Sequence, residues 1–80
     1  MTDIACRVRD VVAAEFGLPC SALNFADDLT ANHGMDDLDL LKLAMRLEEI
    51  FGVELNDESL QQERTIARCA ELIRENLIPA

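Results

Sequence analysis

Eighty residues, half of them hydrophobic, with 16 acidic side chains against seven basic ones and a formal charge of -9, suffice for one small core of mostly aliphatic groups. Without Trp or Tyr, and with three Phe and one His, the chain lacks the stacking surfaces of nucleic-acid modules and the usual base of hydrolytic enzymes. Its charge repels phosphate backbones and anionic headgroups, so the expected partners are proteins with basic docking surfaces, not nucleic acid or membrane.

The N-terminus, Met1 to Arg7, carries an acid at position 3 and no uninterrupted apolar stretch, unlike a secretory signal, and no apolar run reaches the ~18 residues of a membrane span. Cys6, Cys20 and Cys69 are odd in number and lack metal-ligand spacing, which points to a reducing compartment and to neither disulfide framework nor zinc. The expectation is a cytoplasmic, monomeric, single domain over residues 1–80 that is not an enzyme.

From Asp3 to Phe16, the spacing of Ile4, Val8, Val11, Val12 and Phe16 predicts an amphipathic helix, stopped by Gly17 and Pro19. A long connection follows to about Asp36. Leu18, Leu23, Phe25 and Leu29 are spaced to anchor it on the core, with a short turn from Ser21, and are expected to be buried. Leu38 to Phe51 predicts the central helix, apolar over more than half its circumference, with Asp39, Lys42, Arg46 and Glu49 as its exposed stripe and Asp36 and Asp37 at its head. After Gly52, Val53-Glu54-Leu55 reads as a short extended link, and Asn56 or Asp57 caps a brief helix through Gln62. Thr65 caps the last helix, whose buried stripe is Ile66, Cys69, Ala70, Ile73 and Leu77, with Arg68, Glu71, Arg74 and Glu75 in water. The fold class is all-α, a small bundle of three longer helices and one short one.

The charge is unevenly placed. Asp27, Asp28, Asp36, Asp37, Asp39, Glu48, Glu49, Glu54, Asp57 and Glu58 face only Lys42 and Arg46 in the middle of the chain, so nearly all the excess lies there. Such a face solubilises a protein; it also docks basic partners.

Phe25-Ala26-Asp27-Asp28-Leu29, Gly34-Met35-Asp36-Asp37-Leu38-Asp39 and Leu47-Glu48-Glu49-Ile50-Phe51-Gly52-Val53-Glu54-Leu55-Asn56-Asp57-Glu58, continued by Thr65-Ile66 and the final helix, together resemble an acyl carrier protein over essentially the whole chain. The resemblance implies a four-helix bundle with a long first loop and a short third helix. It also implies a role in fatty-acid, polyketide or related thioester biosynthesis, in which the second helix is presented to partner enzymes. In that family a Gly-x-Asp-Ser-Leu motif opens this helix, and its serine carries 4'-phosphopantetheine. Here Asp37 stands in the serine's place, between Asp36 and Leu38. A carboxylate is not the hydroxyl nucleophile that attachment needs, and it repels the incoming phosphate, so no prosthetic group is expected on this chain.

Other departures are the longer loop at Thr30 to His33, the bases Lys42 and Arg46 on a helix that is acidic in many relatives, and Glu63 where relatives often have an apolar residue. The partner-binding residues implied are Asp39, Lys42, Met45, Arg46 and Glu49. The same residues are compatible with an ordinary carrier whose serine was changed to Asp at position 37, and with an acidic regulatory or adaptor protein unrelated to acyl transfer.

Three further signals read as structural. Asp28, Thr30, Asn32, Gly34 and Asp39 imitate a calcium loop, but His33 stands where its central glycine belongs and Asp39 where its final glutamate does, so no metal is expected. His33 reads as an exposed loop residue, and Cys69 as core. Met35 and Met45 read as core filler, or as the border of a cavity sheltering an acyl chain.

Overall fold

A computed structural model of the chain describes residues 3–77, the side chain of Asp57 excepted, and every regular element among them is helical. The expectations attached to Met1 and Thr2, and to the Asp57 side chain as a cap, lie outside the described residues. Helix α1 (Ile4–Phe16) starts where the Asp3 carboxylate accepts the Ala5 N–H at 3.1 Å. It buries Val8 and Val12 completely and Ala5 nearly so, while Ile4, Val11 and Phe16 pack half-buried against the core.

The long connection is more regular than its sequence predicts. Residues Cys20–Ala22 form a single 3-10 turn, and a one-turn helix, α2 (Leu29–His33), was not foreseen. Asp28 caps α2 by accepting the N–H groups of Thr30 and Ala31 at 2.8 and 3.1 Å, and Asn32 accepts the Asp28 N–H in return at 2.9 Å. Of the four expected anchors, Leu23 and Leu29 are buried, whereas Leu18 and Phe25 are only half-buried. Backbone bonds supply the missing hold: Leu29 N–H donates to the Arg64 carbonyl at 2.8 Å, and Ala67 N–H to the Phe25 carbonyl at 3.0 Å.

Gly34 ends α2 at φ 70°, a left-handed conformation open to glycine at little cost, and thereby turns Met35 into the core. Helix α3 (Asp37–Phe51) then begins with a reciprocal cap: Asp39 N–H donates to Asp36 at 2.9 Å, and Asp36 N–H to Asp39 at 3.2 Å. Only one face of its broad apolar surface is buried, through Leu40, Leu43, Ala44 and Leu47. Leu38, Leu41 and Ile50, counted in that apolar surface, are exposed, as is Met45, which the resemblance puts on the partner-binding face and its side-chain chemistry in the core. Helices α1 and α5 pack most extensively on each other, and a cylinder laid against that pair can hide one side only.

Asn56 caps α4 (Asp57–Gln62) through the N–H groups of Glu58 and Ser59, and Glu48 reaches across to accept the Leu55 N–H at 2.9 Å. The Thr65 hydroxyl oxygen accepts the Arg68 N–H at 3.0 Å at the start of α5 (Ile66–Leu77). This helix buries Ile66, Cys69, Ala70, Leu72 and Ile73. Leu77, placed in the buried stripe by its spacing, is 47% exposed because it lies at the end of the helix, past its last buried turn. The result is an all-helical bundle of the expected type, in which α1, α3 and α5 are the long members, α4 is the short one, and α2 is an additional single turn.

The cap on α2 makes stability depend on acid. The Thr30 hydroxyl bond, then the Ala31 and Thr30 N–H groups, hold the Asp28 carboxyl below its ordinary value of 3.8. A depressed folded-state pKa contributes stability that is present above the unfolded value and is lost as pH falls through the folded one. Asn retains the capping geometry without the charge. Thermal melts are therefore expected to place Asp28→Asn below the parent at neutral pH, with the gap beginning to close near 3.8 and gone only after the pH has fallen through the lower folded-state value. A gap that stays constant through that range would assign the cap's effect to geometry alone.

Candidate functional site

The residues singled out from the sequence converge on the first two turns of α3 and the surface that runs along it. Asp37 is the first residue of that helix and is exposed. Its carboxylate is left out of the exchange between Asp36 and Asp39, so both neighbours cap the helix while Asp37 faces solvent. Beside it a cleft of about 290 Å³ opens between α3 and α4, lined by Asp37, Leu38, Leu40, Leu41, Leu60 and Gln61. Leu40 and Leu60 are buried and make its floor, whereas Leu38 (67% exposed) and Leu41 (45%) stand at its rim. Met35 and Met45 do not line it: Met35 is core, and Met45 is 60% exposed further along α3.

Leu38, Leu41 and Met45 recur at intervals of three and four and so lie along one exposed strip of α3, the arrangement expected of a protein-docking face. Lys42, Arg46 and Glu49 are also exposed, but Asp39, predicted to be fully in water, is half-buried in its cap. Arg46 is not a free charge. Its guanidinium donates to Glu15 on α1 at 2.9 Å and lies 3.5 Å from Glu49.

The other guanidinium groups are engaged as well: Arg7 over the Phe51 ring, Arg9 over Phe25, Arg64 on the Thr30 hydroxyl, Arg68 with Glu71, and Arg74 with Asp3. Among the described residues Lys42 is the one cation without such a partner. The cross-helix pair of Arg46 with Glu15 was not legible in the sequence, since nothing in the spacing relates position 15 to position 46. The apolar strip was legible in principle, as residues three and four apart on the flank of a helix already saturated with leucine.

His33 is not the exposed loop residue its sequence context implied. It closes α2, is largely buried, and its Nε2 lies 3.1 Å from Asp27. Burial pushes the Cys69 thiol up to about 12, so that it stays protonated and inert. The exposed Cys20 thiol donates to Asp10 at 3.4 Å, and that bond raises its pKa too. Asp28 is committed to its cap, and the described residues contain no group of three or more His, Cys, Asp or Glu able to hold a metal ion. No helix among them is long and apolar enough to cross a membrane.

Residues 6–73 match the family described as the phosphopantetheine attachment site. The chain is also 33% identical to acyl carrier protein 2 of Pseudomonas aeruginosa over 75 residues, which covers 94% of this chain and 95% of that protein. The cofactor of that family is 4'-phosphopantetheine. The residues present do not fit its attachment. The head of α3 offers a carboxylate, the Thr30 hydroxyl is bonded to Asp28 and Arg64, Ser59 is half-buried in α4, and Ser21 sits in the separate 3-10 turn.

Proposed function

The chain belongs to the acyl carrier protein family, and from that membership we propose that residues 1–80 act as one carrier-like domain that engages biosynthetic enzymes through α3 without carrying phosphopantetheine. Acyl carrier proteins are carriers rather than catalysts, and this domain is read as a non-enzyme, monomeric and cytoplasmic, with protein partners and no nucleic acid. The observation that carries the reading is Asp37, a free carboxylate at the first residue of α3 where the resemblance calls for a serine hydroxyl.

Docking is assigned to Leu38, Met45 and the charged residues Asp36, Asp39, Lys42, Arg46 and Glu49. The surrounding carboxylates favour basic partner surfaces by long-range attraction, and the exposed strip supplies apolar area once contact is made. Lys42, unlike Arg46, remains available to discriminate among partners, because Arg46 is already satisfied by Glu15 and Glu49.

Incubation with coenzyme A and a broad-range phosphopantetheinyl transferase is expected to leave the intact mass unchanged, with an ordinary acyl carrier protein modified alongside as control. A phosphopantetheine adduct on this chain would overturn the reading, and peptide mapping to Thr30, Ser21 or Ser59 would identify the hydroxyl responsible.

A further inference from the structure

The charges that α3 leaves exposed cancel, Asp37 and Glu49 against Lys42 and Arg46. Its two remaining acids are turned to backbone groups, since Asp39 accepts the Asp36 N–H and Glu48 the Leu55 N–H. The carboxylates around this helix attract a basic partner from a distance, but at contact the face of α3 is by itself close to neutral. The group that makes it negative belongs to another helix.

Glu15 stands near the end of α1 and is exposed. Its Oε1 accepts from Arg46 Nε at 2.9 Å, whereas Glu49, one turn further along α3, lies 3.5 Å from Arg46 Nη1. Glu15 is the closer of the two and holds the guanidinium toward α1. The Arg46 and Glu15 side chains are 46% and 41% exposed, so water screens the pair and it adds little to folding. Its effect falls on the surface instead. With Arg46 answered by Glu15, the Asp37 and Glu49 carboxylates are opposed on α3 by Lys42 alone.

We propose that Glu15 sets the partner preference of α3 by holding Arg46 against α1, and that the face so selected fits a protein groove lined by Lys and Arg. Glu15 is a positioning residue, acting through Arg46 without having to touch the partner. The inference rests on α3 being the docking face and adds α1 to what decides who docks there. Without Glu15, the guanidinium is left as a second unmatched cation beside Met45 and repels a basic groove.

The test is displacement. A broad-range phosphopantetheinyl transferase, without coenzyme A, is loaded with a fluorescently labelled ordinary acyl carrier protein, and the full-length chain is titrated in while anisotropy is followed, so that no chemistry at position 37 is required. Glu15→Gln is expected to weaken displacement by about threefold to fivefold at low salt, the scale of one exposed ion pair, and the loss should shrink as ionic strength rises. Arg46→Gln should displace at least as well as the parent, because it removes the charge that Glu15 suppresses. Adding Glu15→Gln to Arg46→Gln should then change displacement by less than about twofold. Thermal melts of each variant establish that it is folded.

The signs at the two ends of the pair separate steering from bracing: a pair that merely fastened α1 to α3 would weaken displacement whichever partner was removed. An unchanged Glu15→Gln, a loss of affinity on Arg46→Gln, or an equal effect of Glu15→Gln with and without Arg46 would overturn the proposal and leave α3 as the docking face. A parent chain that displaces nothing would remove the docking reading itself, and the role of Glu15 with it.

Discussion

Asp37→Ser is expected to make the chain a substrate of phosphopantetheinyl transferases, where the parent is expected to be inert, the all-or-none change being read directly from the intact mass. The exchange disturbs little else. Asp36 and Asp39 keep their reciprocal cap, the buried face of Leu40, Leu43, Ala44 and Leu47 is untouched, and the exposed residue at position 37 has no packing role. Serine is itself well tolerated at helix starts. Speed is a separate matter from competence. Lys42 sits one turn beyond Leu38 on the strip where acidic relatives meet basic enzymes, and adding Lys42→Glu to the serine variant is expected to raise the rate by roughly fivefold, the scale of a single rim charge. Arg46→Glu is a poorer choice, since it also breaks the tie to Glu15 on α1. If folded Asp37→Ser resists several transferases, the docking face has diverged along with the attachment residue, and an adaptor unrelated to acyl transfer becomes the better reading.

The second large effect separates two leucines of the same helix. Leu47 is fully buried at the centre of the core, and Leu47→Ala is expected to cost about 3 kcal/mol, from lost transfer energy and the cavity left behind. Against a total of about 5–15 kcal/mol for a small domain, and with a urea slope near 1 kcal/mol per molar, the unfolding midpoint should fall by about 2–3 M. Leu38 is 67% exposed, and Leu38→Ala should change stability by no more than about 0.5 kcal/mol. Paired urea titrations test both. Comparable losses at the two positions would mean that the apolar strip is covered in solution.

That contrast also marks what the sequence could reveal. The apolar periods of α1, α3 and α5 located all three helices within a residue or so, because each has a buried face long enough to repeat. Helix α2 has one buried residue, Leu29, and a single residue has no period; its evidence was the pairing of Asp28 with Asn32, which resembles ordinary loop composition. On α3 the error ran the other way. Leucine on both flanks widens the predicted core, and hydrophobicity alone does not say which flank meets a neighbour, so Leu38 and Leu41 are counted with the buried leucines although they stand exposed. At the site, the importance of position 37 came from resemblance, not periodicity. The cleft came from neither, since it needs Leu60 and Gln61 of α4 brought beside α3.

The backbone bonds that pin the first connection carry a consequence for how the chain assembles. Leu29 is held by Arg64 and Phe25 by Ala67, partners from the far half of the sequence, and the Arg64 side chain adds a third link to Thr30. Closing loops of that length is entropically costly, and the reward arrives only when the junction between α4 and α5 is already formed. The α1–α5 pair closes a longer loop still, a cost that its extensive apolar packing offsets, and residues 18–35 are expected to lock onto it late because their bonding partners lie at the α4–α5 junction. In the native state the same segment should be the first to open, so that amide exchange and limited proteolysis begin there while the helices on either side remain protected.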